Sequence, residues 1–344
     1  MQSLYKKAGV DIDAKTEILK KAKLFIKSTY NKNVKTDFGT FGGVYKITEN
    51  KWLVSSVDGV GTKLKIAQKM NKHDTVGIDI VNHCVNDILV MGAKPLFFLD
   101  YIGIGKVNET IICNIIKGLS FACQKNNCVL IAGETAEMPD VYKKEEYDLV
   151  GTIIGEIENK RIITGERVKA GDIVLGLAST GLHTNGYTLA RKIFEENKID
   201  YAEYLNELKG VAGEILLKPH KSYFNSVYPA IQKYFNKIHS IAHITGGGFF
   251  DNIARVIPEN VDCVIKKGSW QVLPIFKFLQ KKGKVTDEEM HKVFNMGIGL
   301  VLIVDKNSVK KIEKFLLSKK RKGLYNRRSS KRERRSFNKI IKDI

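Results

Sequence analysis

Ser55-Ser56-Val57-Asp58-Gly59-Val60-Gly61-Thr62-Lys63 runs from an apolar strand into an acid, two glycines, a hydroxyl and a lysine. Glycines at a strand end let backbone amides approach an anion closely, Lys63 brings a point charge, and Asp58 offers the oxygen ligands that magnesium prefers. Asp58, Gly59, Gly61, Thr62 and Lys63 are therefore candidates for a nucleotide-phosphate site. The spacing departs from the Walker P-loop, which places four residues between its first glycine and Gly-Lys-Ser/Thr, and from the dinucleotide fingerprint. The turn belongs to neither common scheme.

Outward from this turn, short apolar runs at 52–57, 96–101, 128–133 and 149–157 predict strands, and 75–91 and 109–125 predict helices. A Lys-rich amphipathic helix over 14–28 and a glycine loop, Phe38 to Gly43, precede them. Lys169-Ala170-Gly171-Asp172 then opens a second unit. Its strands are expected at 173–178, 240–244 and 297–304, and its helices at 186–197, 221–237, 271–281, 286–293 and 307–317. The expected fold class is α/β (α+β) in two domains, 1–167 and 168–318, followed by an anomalous basic tail over 319–344.

Composition is ordinary for a globular chain of 344 residues, with 43% hydrophobic residues, 29 glycines and 6 prolines. No apolar run approaches the roughly 20 residues of a membrane helix, and Met1 to Asp13 lacks a signal-peptide core. Cys84, Cys113, Cys123, Cys128 and Cys263 show no paired metal spacing, so reduced thiols and a cytoplasmic location are expected. The net charge of +20 invites a nucleic-acid partner. Yet Ser318 to Ile344 holds 12 Lys/Arg against Glu333 and Asp343, which puts +10 in the last 27 residues. That tail reads as out of frame or as a disordered basic arm, with Tyr325 and Phe337 as its only aromatics, and no nucleic-acid module accompanies it.

Three further segments carry chemistry. On the helix Gly77 to Gly92, Asp79, Asn82, His83, Asn86 and Asp87 fall within an arc of roughly 140° at 100° per residue, and the remaining face is apolar. Short polar groups on an apolar helix suit a lined cavity; the alternative is a capped helix bonded to neighbouring loops. Leu130-Ile-Ala-Gly-Glu-Thr-Ala-Glu-Met-Pro139 repeats the strand-then-glycine pattern, and Glu134 after Gly133 would join Asp58 and Asp87 around one magnesium ion. In the second unit, Ser179-Thr180-Gly181-Leu182-His183-Thr184-Asn185-Gly186-Tyr187 makes an anion cradle whose His183 titrates near neutral pH, or else a structural loop histidine. Ala242-His243-Ile244-Thr245-Gly246-Gly247-Gly248 adds a glycine turn after a strand, suited to close ligand approach or to simple flexibility.

In this order the motifs resemble the phosphoribosylformylglycinamidine cyclo-ligase family, the aminoimidazole ribonucleotide synthetases of purine biosynthesis. The resemblance runs from Tyr5-Lys-Lys-Ala-Gly-Val-Asp-Ile-Asp13 through Gly39–Gly43, Asp58–Lys63, Asn86-Asp87, Pro95–Tyr101, Gly133–Pro139, His183–Tyr187 and His243–Gly248. It covers about residues 4–317. The first-domain pattern is shared with thiamine-monophosphate kinases, selenophosphate synthetases and formylglycinamidine ribonucleotide synthetases, so another ATP-using enzyme of that superfamily is the alternative. Nucleic-acid binding through the tail is the remote one.

The resemblance implies a homodimer whose first-domain strands build a shared barrel, with ATP in a cleft beside it and the second domain closing over formylglycinamidine ribonucleotide. It implies magnesium held by Asp58, Asp87 and Glu134, with Asp79 as a further ligand. ATP would lie against Asp58, Gly59, Gly61, Thr62, Lys63, Asn86, Asp87, Gly133 and Glu134. Ser179, His183, Asn185, Gly186, Thr245, Gly246, Gly247 and Gly248 would hold substrate, and His183 and Lys63 would act in catalysis. No membrane and no nucleic acid are implied. Relatives end with another strand after the helix at 307–317, where this chain turns basic; this motivates the out-of-frame reading, which resequencing the gene to an intact frame would overturn.

Overall fold

The strand carrying Asp58 is the second of five in an N-terminal sheet. In the computed structural model, which describes residues 3–10, 12–158 and 161–322, these are β1 (Gly43–Lys46), β2 (Lys51–Gly59), β3 (Lys94–Ile104), β4 (Val129–Glu137) and β5 (Tyr147–Glu158). Their order is β1-β2-β5-β3-β4, with β3 and β4 parallel and the other neighbours antiparallel. Burial alternates strictly along β5: Tyr147, Leu149, Ile153 and Ile157 are buried, and Asp148, Val150, Thr152 and Ile154 between them are half-buried. That period of two marks a sheet with one packed face.

Helices α1 (Leu4–Lys7), α2 (Ile12–Lys27), α3 (Leu64–Lys69), α4 (Asp74–Val90) and α5 (Glu109–Lys125) belong to this half. The packed face rests on α4, which crosses α5 at glycines. A Cβ at Gly77 would stand 2.3 Å from Ile115 O, and one at Gly118 2.0 Å from Asp74 O. Only glycine permits that approach. Asn108 caps α5 by accepting the Ile111 amide at 3.1 Å.

The second half holds a three-stranded antiparallel sheet, ordered β6-β10-β9, from β6 (Ile173–Ala178), β9 (Ile238–His243) and β10 (Ile298–Val304). A small ribbon pairs β7 (Tyr204–Leu205) with β8 (Gly210–Val211). Around them lie α6 (Tyr187–Glu196), α7 (Ala212–Leu216), α8 (Phe224–Tyr234), α9 (Gly248–Ala254), α10 (Pro274–Gly283), α11 (Asp287–Val293) and α12 (Val309–Lys322). Every residue of β9 and β10 is buried, as expected of strands covered on both faces.

Helix α4 joins the halves. Fifteen of its 17 residues are buried, including the whole polar arc of Asp79, Asn82, His83, Asn86 and Asp87. Its apolar side lies on the first sheet, and its polar side meets the segment 218–223 and β9 of the second half. The expected elements recur with shifted ends. β4 runs on to Glu137 as an exposed edge rather than ending at Gly133, while β1, α3 and α9 had no signal strong enough to predict them. The expected break at Lys319 falls later, because α12 continues to Lys322. Residues 323–344, most of the basic tail, lie outside the described residues. No helix among the described residues is long and apolar enough to cross a membrane.

Candidate active site

Where α4 meets the second half, four of the chain's seven histidines gather with two aspartates. His83 Nε2 lies 3.0 Å from Asp58 Oδ2, at the end of β2, and 3.7 Å from Asp87 Oδ2 one helical turn away. His243, the last residue of β9, brings Nδ1 to 2.8 Å from Asp87 Oδ1. Its Nε2 stands 3.0 Å from His220 Nε2. His220 in turn stacks on His183, with ring centroids 4.0 Å apart. Thr184 Oγ1 links the group, 2.7 Å from His83 Nδ1 and 3.3 Å from His220 Nδ1.

A second knot lies two helical turns earlier. Lys63 is fully buried, and its ammonium sits 2.8 Å from each carboxylate oxygen of Asp79. It also donates to His183 O at 3.1 Å and Lys218 O at 2.9 Å. Asp79 accepts the His220 amide at 2.6 Å, and Asn86 donates to Lys221 O while accepting the Tyr223 amide. These bonds fasten the 218–223 segment onto α4.

The electrostatics follow from burial and charge. Burial opposes the charge of His83, but the Asp58 and Asp87 carboxylates outweigh it and raise its pKa to about 9. Burial likewise opposes the Asp58 charge, and His83, the Gly59 amide and His243 hold that carboxyl down at about 2. Burial drives His183 and His220 far below the ordinary imidazole value, helped by neighbouring cations, so both are neutral. For Lys63 and Asp79, burial pushes the ammonium pKa down and the carboxyl pKa up, and their mutual contact opposes both shifts.

The structure brings some expected residues together and separates others. Asp58 and Asp87 share one site through His83. Gly59 ends β2, Gly61 adopts a φ of +72° to start the turn into α3, and Thr62 Oγ1 meets Thr188 Oγ1 of α6 at 2.9 Å. Lys63 does not face an open phosphate site in this arrangement, because all of its donors are taken inside the protein. Asp79 is likewise spent on Lys63. Glu134 is remote: the register Asp58–Gly151–Asp100–Gly133 runs across β2, β5, β3 and β4. Three strand steps of about 4.8 Å put Gly133 some ~14 Å from Asp58, and Glu134 is exposed on the edge strand. The four carboxylates therefore do not form one oxygen cage for magnesium within the chain.

In the second half, Ser179 Oγ lies 3.0 Å from both Gly181 O and Asn295 Oδ1, which closes its loop on itself. His183 is buried with a φ of +65°, sparsely populated for a residue with a side chain. Its Nε2 accepts the Thr180 amide at 3.3 Å, while Nδ1 finds no hydrogen-bond partner among the described residues. Gly186 (φ +80°) precedes α6. Asn185 Oδ1 lies beside Gly246, where a Cβ would stand 3.2 Å away. Thr245 Oγ1 and Gly246 O bond Asn252, and Gly247 and Gly248 turn into α9 with φ of +89° and +60°. At Gly248 a side chain would strike His291 O at 1.9 Å. Sequence reasoning left His220 out altogether: Pro219-His220-Lys221 belongs to no motif, and only the fold shows where that imidazole stands.

Residues 39–157 match the family described as AIR synthase related protein, N-terminal domain, and residues 169–319 match its C-terminal domain. A phosphoribosylformylglycinamidine cyclo-ligase of Bacillus mycoides is 47% identical over 321 residues, 92% of each chain. One of Caldicellulosiruptor saccharolyticus is 51% identical over 310 residues, 89% of this chain and 90% of the relative. Among solved structures, thiamine-monophosphate kinase from Stenotrophomonas maltophilia aligns with a TM-score of 0.56 at 14% identity, over 86% of this chain and 88% of that one. Hydrogenase maturation protein HypE in complex with ATP aligns with a TM-score of 0.55 at 16% identity, over 88% and 82%. Those two share the fold; the close relatives carry more. With both domains matched and nearly half of its residues identical across nine-tenths of its length, the chain belongs to the phosphoribosylformylglycinamidine cyclo-ligase family.

Proposed function

We propose that this chain closes the imidazole ring of aminoimidazole ribonucleotide from formylglycinamidine ribonucleotide, converting ATP to ADP and phosphate. The match to cyclo-ligases over 92% of the chain carries this reading. The chemistry asks for a polyphosphate site beside a substrate site. A formamide carbonyl is a poor electrophile whose oxygen leaves badly. Moving the γ-phosphoryl group onto that oxygen makes a good leaving group; the neighbouring amidine nitrogen then attacks the carbon, and phosphate departs.

The Asp58–Thr62 turn, with Gly59 and Gly61, is the proposed nucleotide side, together with Asn86 and Asp87 at its border. Ser179, Asn185, Gly186 and the Thr245–Gly248 turn are the proposed substrate side, with His183 as the proton-transfer group. Asn185 beside Gly246 supports the pairing of the two second-half loops. In the present arrangement Lys63 and His183 are buried in the contact between the halves, so their engagement with ligands requires the 218–223 segment to lift from α4. Magnesium would enter with the nucleotide and meet Asp58 and Asp87, which stand together around His83.

A second copy is the proposed partner. The outer face of the first sheet carries Val57, Val129 and Ile131 at 64%, 60% and 59% exposure, an apolar face of the kind a partner covers. Sedimentation of the full chain at twice its 38.7 kDa mass is expected; a monomer at micromolar concentration rejects the pairing. A location in the cytoplasm accords with the biosynthetic role and the five free thiols.

The test of function is direct. Purified full-length protein, given formylglycinamidine ribonucleotide, ATP and magnesium, should form aminoimidazole ribonucleotide with one ADP per ring closed. Folded protein that makes no product would overturn the assignment.

A further inference from the structure

Helix α5 ends in a closed turn that brings two cysteines together. Cys128 N donates to Cys123 O at 3.0 Å, Asn127 N donates to Gln124 O at 3.3 Å, and Asn127 is left-handed with a φ of +54°. Such a nested pair of bonds folds the chain back over the last helical turn, so the side chains at its two ends meet. Those ends ordinarily hold an apolar contact; here both side chains are thiols. We propose that Cys123 and Cys128 are a redox pair, a dithiol that closes to a disulfide and staples the turn between them.

The two thiols already interact. Cys128 Sγ donates to Cys123 O at 3.6 Å. As a thiolate, Cys128 accepts from the Cys123 thiol instead, which pulls the Cys128 pKa down and pushes that of Cys123 up. Cys128 is also the more open of the two, 8% exposed against 2%. It is therefore the attacking sulfur. With hydrogen peroxide as oxidant, the Cys128 thiolate attacks one oxygen, the O–O bond breaks, and the departing hydroxide takes a proton to become water. The sulfenic acid left on Cys128 is then attacked by the Cys123 thiolate. The S–O bond breaks and its oxygen leaves as a second water. The two thiols have given up two electrons and two protons, and peroxide has taken up both. In reducing compartments disulfides of this kind are transient and sensing rather than structural.

The turn between the cysteines holds the two halves together. Asn126 is fully buried; its Nδ2 donates to Asn82 Oδ1 of α4 at 2.8 Å, and its Oδ1 accepts Ser222 Oγ. Lys125 O accepts Asn225 Nδ2 of α8 at 2.8 Å. The turn thus grips α4 on one side and the 218–223 segment with the start of α8 on the other. A disulfide closes Cys123–Cys128 into a short ring and removes the open conformations of the turn. Reduced, the turn opens and releases Ser222; oxidised, it stays shut and keeps the segment on α4. On the ring-closure reading that segment must lift for turnover, so oxidation acts as a brake; the pair itself stands without that reading.

Full-length protein is treated with hydrogen peroxide, its remaining thiols are alkylated, and it is digested with trypsin. Lys125 lies between the cysteines, so the disulfide joins two otherwise separate peptides, Gly118–Lys125 and Asn126–Lys143. That joined pair is expected in the wild type, lost on dithiothreitol treatment, and absent from Cys123→Ser and Cys128→Ser. The His220 and Tyr223 amides bond to Asp79 and Asn86 of α4, so their hydrogen exchange reads the segment directly. Oxidation should slow that exchange by about tenfold. Ser222→Ala with Asn225→Ala, which leaves both thiols in place, should remove most of the slowing. Intact thiols after peroxide, linkage through Cys113 instead, or a Cys123–Cys128 bond that forms only in urea overturns the pair. Unchanged exchange in the oxidised chain overturns the brake. Should a serine variant misfold, the wild-type peptide map decides alone. Neither measurement uses nucleotide or substrate, so their failure and that of the ring-closure assay are told apart.

Discussion

Asp79 and Asp87 sit on one helix, eight residues apart, both turned toward the second half and both buried, yet their surroundings differ in kind. Around Asp79 everything is spent: Lys63 gives its donors to Asp79, His183 O and Lys218 O, and the His220 amide takes a carboxylate oxygen. Around Asp87 the partners are imidazoles, which change protonation or take a metal, and the neighbouring Asp58 reaches solvent. The first end is a lock between the halves; the second is a site whose charge can be adjusted. Burial alone does not distinguish a structural carboxylate from a functional one. The partner's chemistry does.

The largest test of that contrast is Lys63→Met, which leaves Asp79 charged without a counter-ion in the interior. Loss of one partner of a buried pair costs about 3–5 kcal/mol, to be read from urea unfolding of the full chain. Because the Asp79 carboxyl pKa is already raised by burial, this variant should recover stability as pH falls and the folded state takes up a proton. Adding Asp79→Asn, which keeps an acceptor for the His220 amide, should restore most of the loss. At the other end, Asp87→Asn removes a charged acceptor but keeps an oxygen for His243, and should cost less, about 1.5–3 kcal/mol. Equal losses at the two ends would erase the distinction.

The smallest effect sits just before the helix. His73 is buried, with its nitrogens 2.9 Å from Tyr147 Oη and 3.1 Å from Asn71 Oδ1, and burial lowers its pKa against the weaker pull of Asp74. Its stabilising contribution is therefore complete above the unfolded pKa of about 6.5 and is lost as pH falls below it, because the unfolded chain binds a proton that the folded one resists. One such group tilts stability by at most about 1.4 kcal/mol per pH unit. His73→Gln should flatten the unfolding curve between pH 6.5 and 5 by that slope; an unchanged slope would show that His73 titrates normally.

Much of the fold was legible because its signals are local. The helix at 109–125 coincides with α5, whose apolar period and Asn108 cap lie within one stretch of chain. The strand leading to Asp58 was likewise readable from its own residues. β4 was misjudged at its end, since an exposed edge strand can run through Gly-Glu-Thr-Ala-Glu without an apolar pattern to mark it. In the site, the polar arc of α4 was visible from helical geometry, and its burial was not.

The sequence by itself determined the α/β elements, the glycine turns, the Asp/Asn face of α4 and, through the order of its motifs, the family. Only the tertiary structure decided which carboxylates meet. Strand order, a matter of pairing between distant segments, carried Glu134 away from Asp58 although their motifs look alike. The packing of β9 and the 218–223 segment on α4 brought His243 and His220 to Asp87. Periodicity reports which way a side chain faces along its own element; what it then meets depends on contacts more than a hundred residues apart, and these are set by burial and pairing across the whole chain.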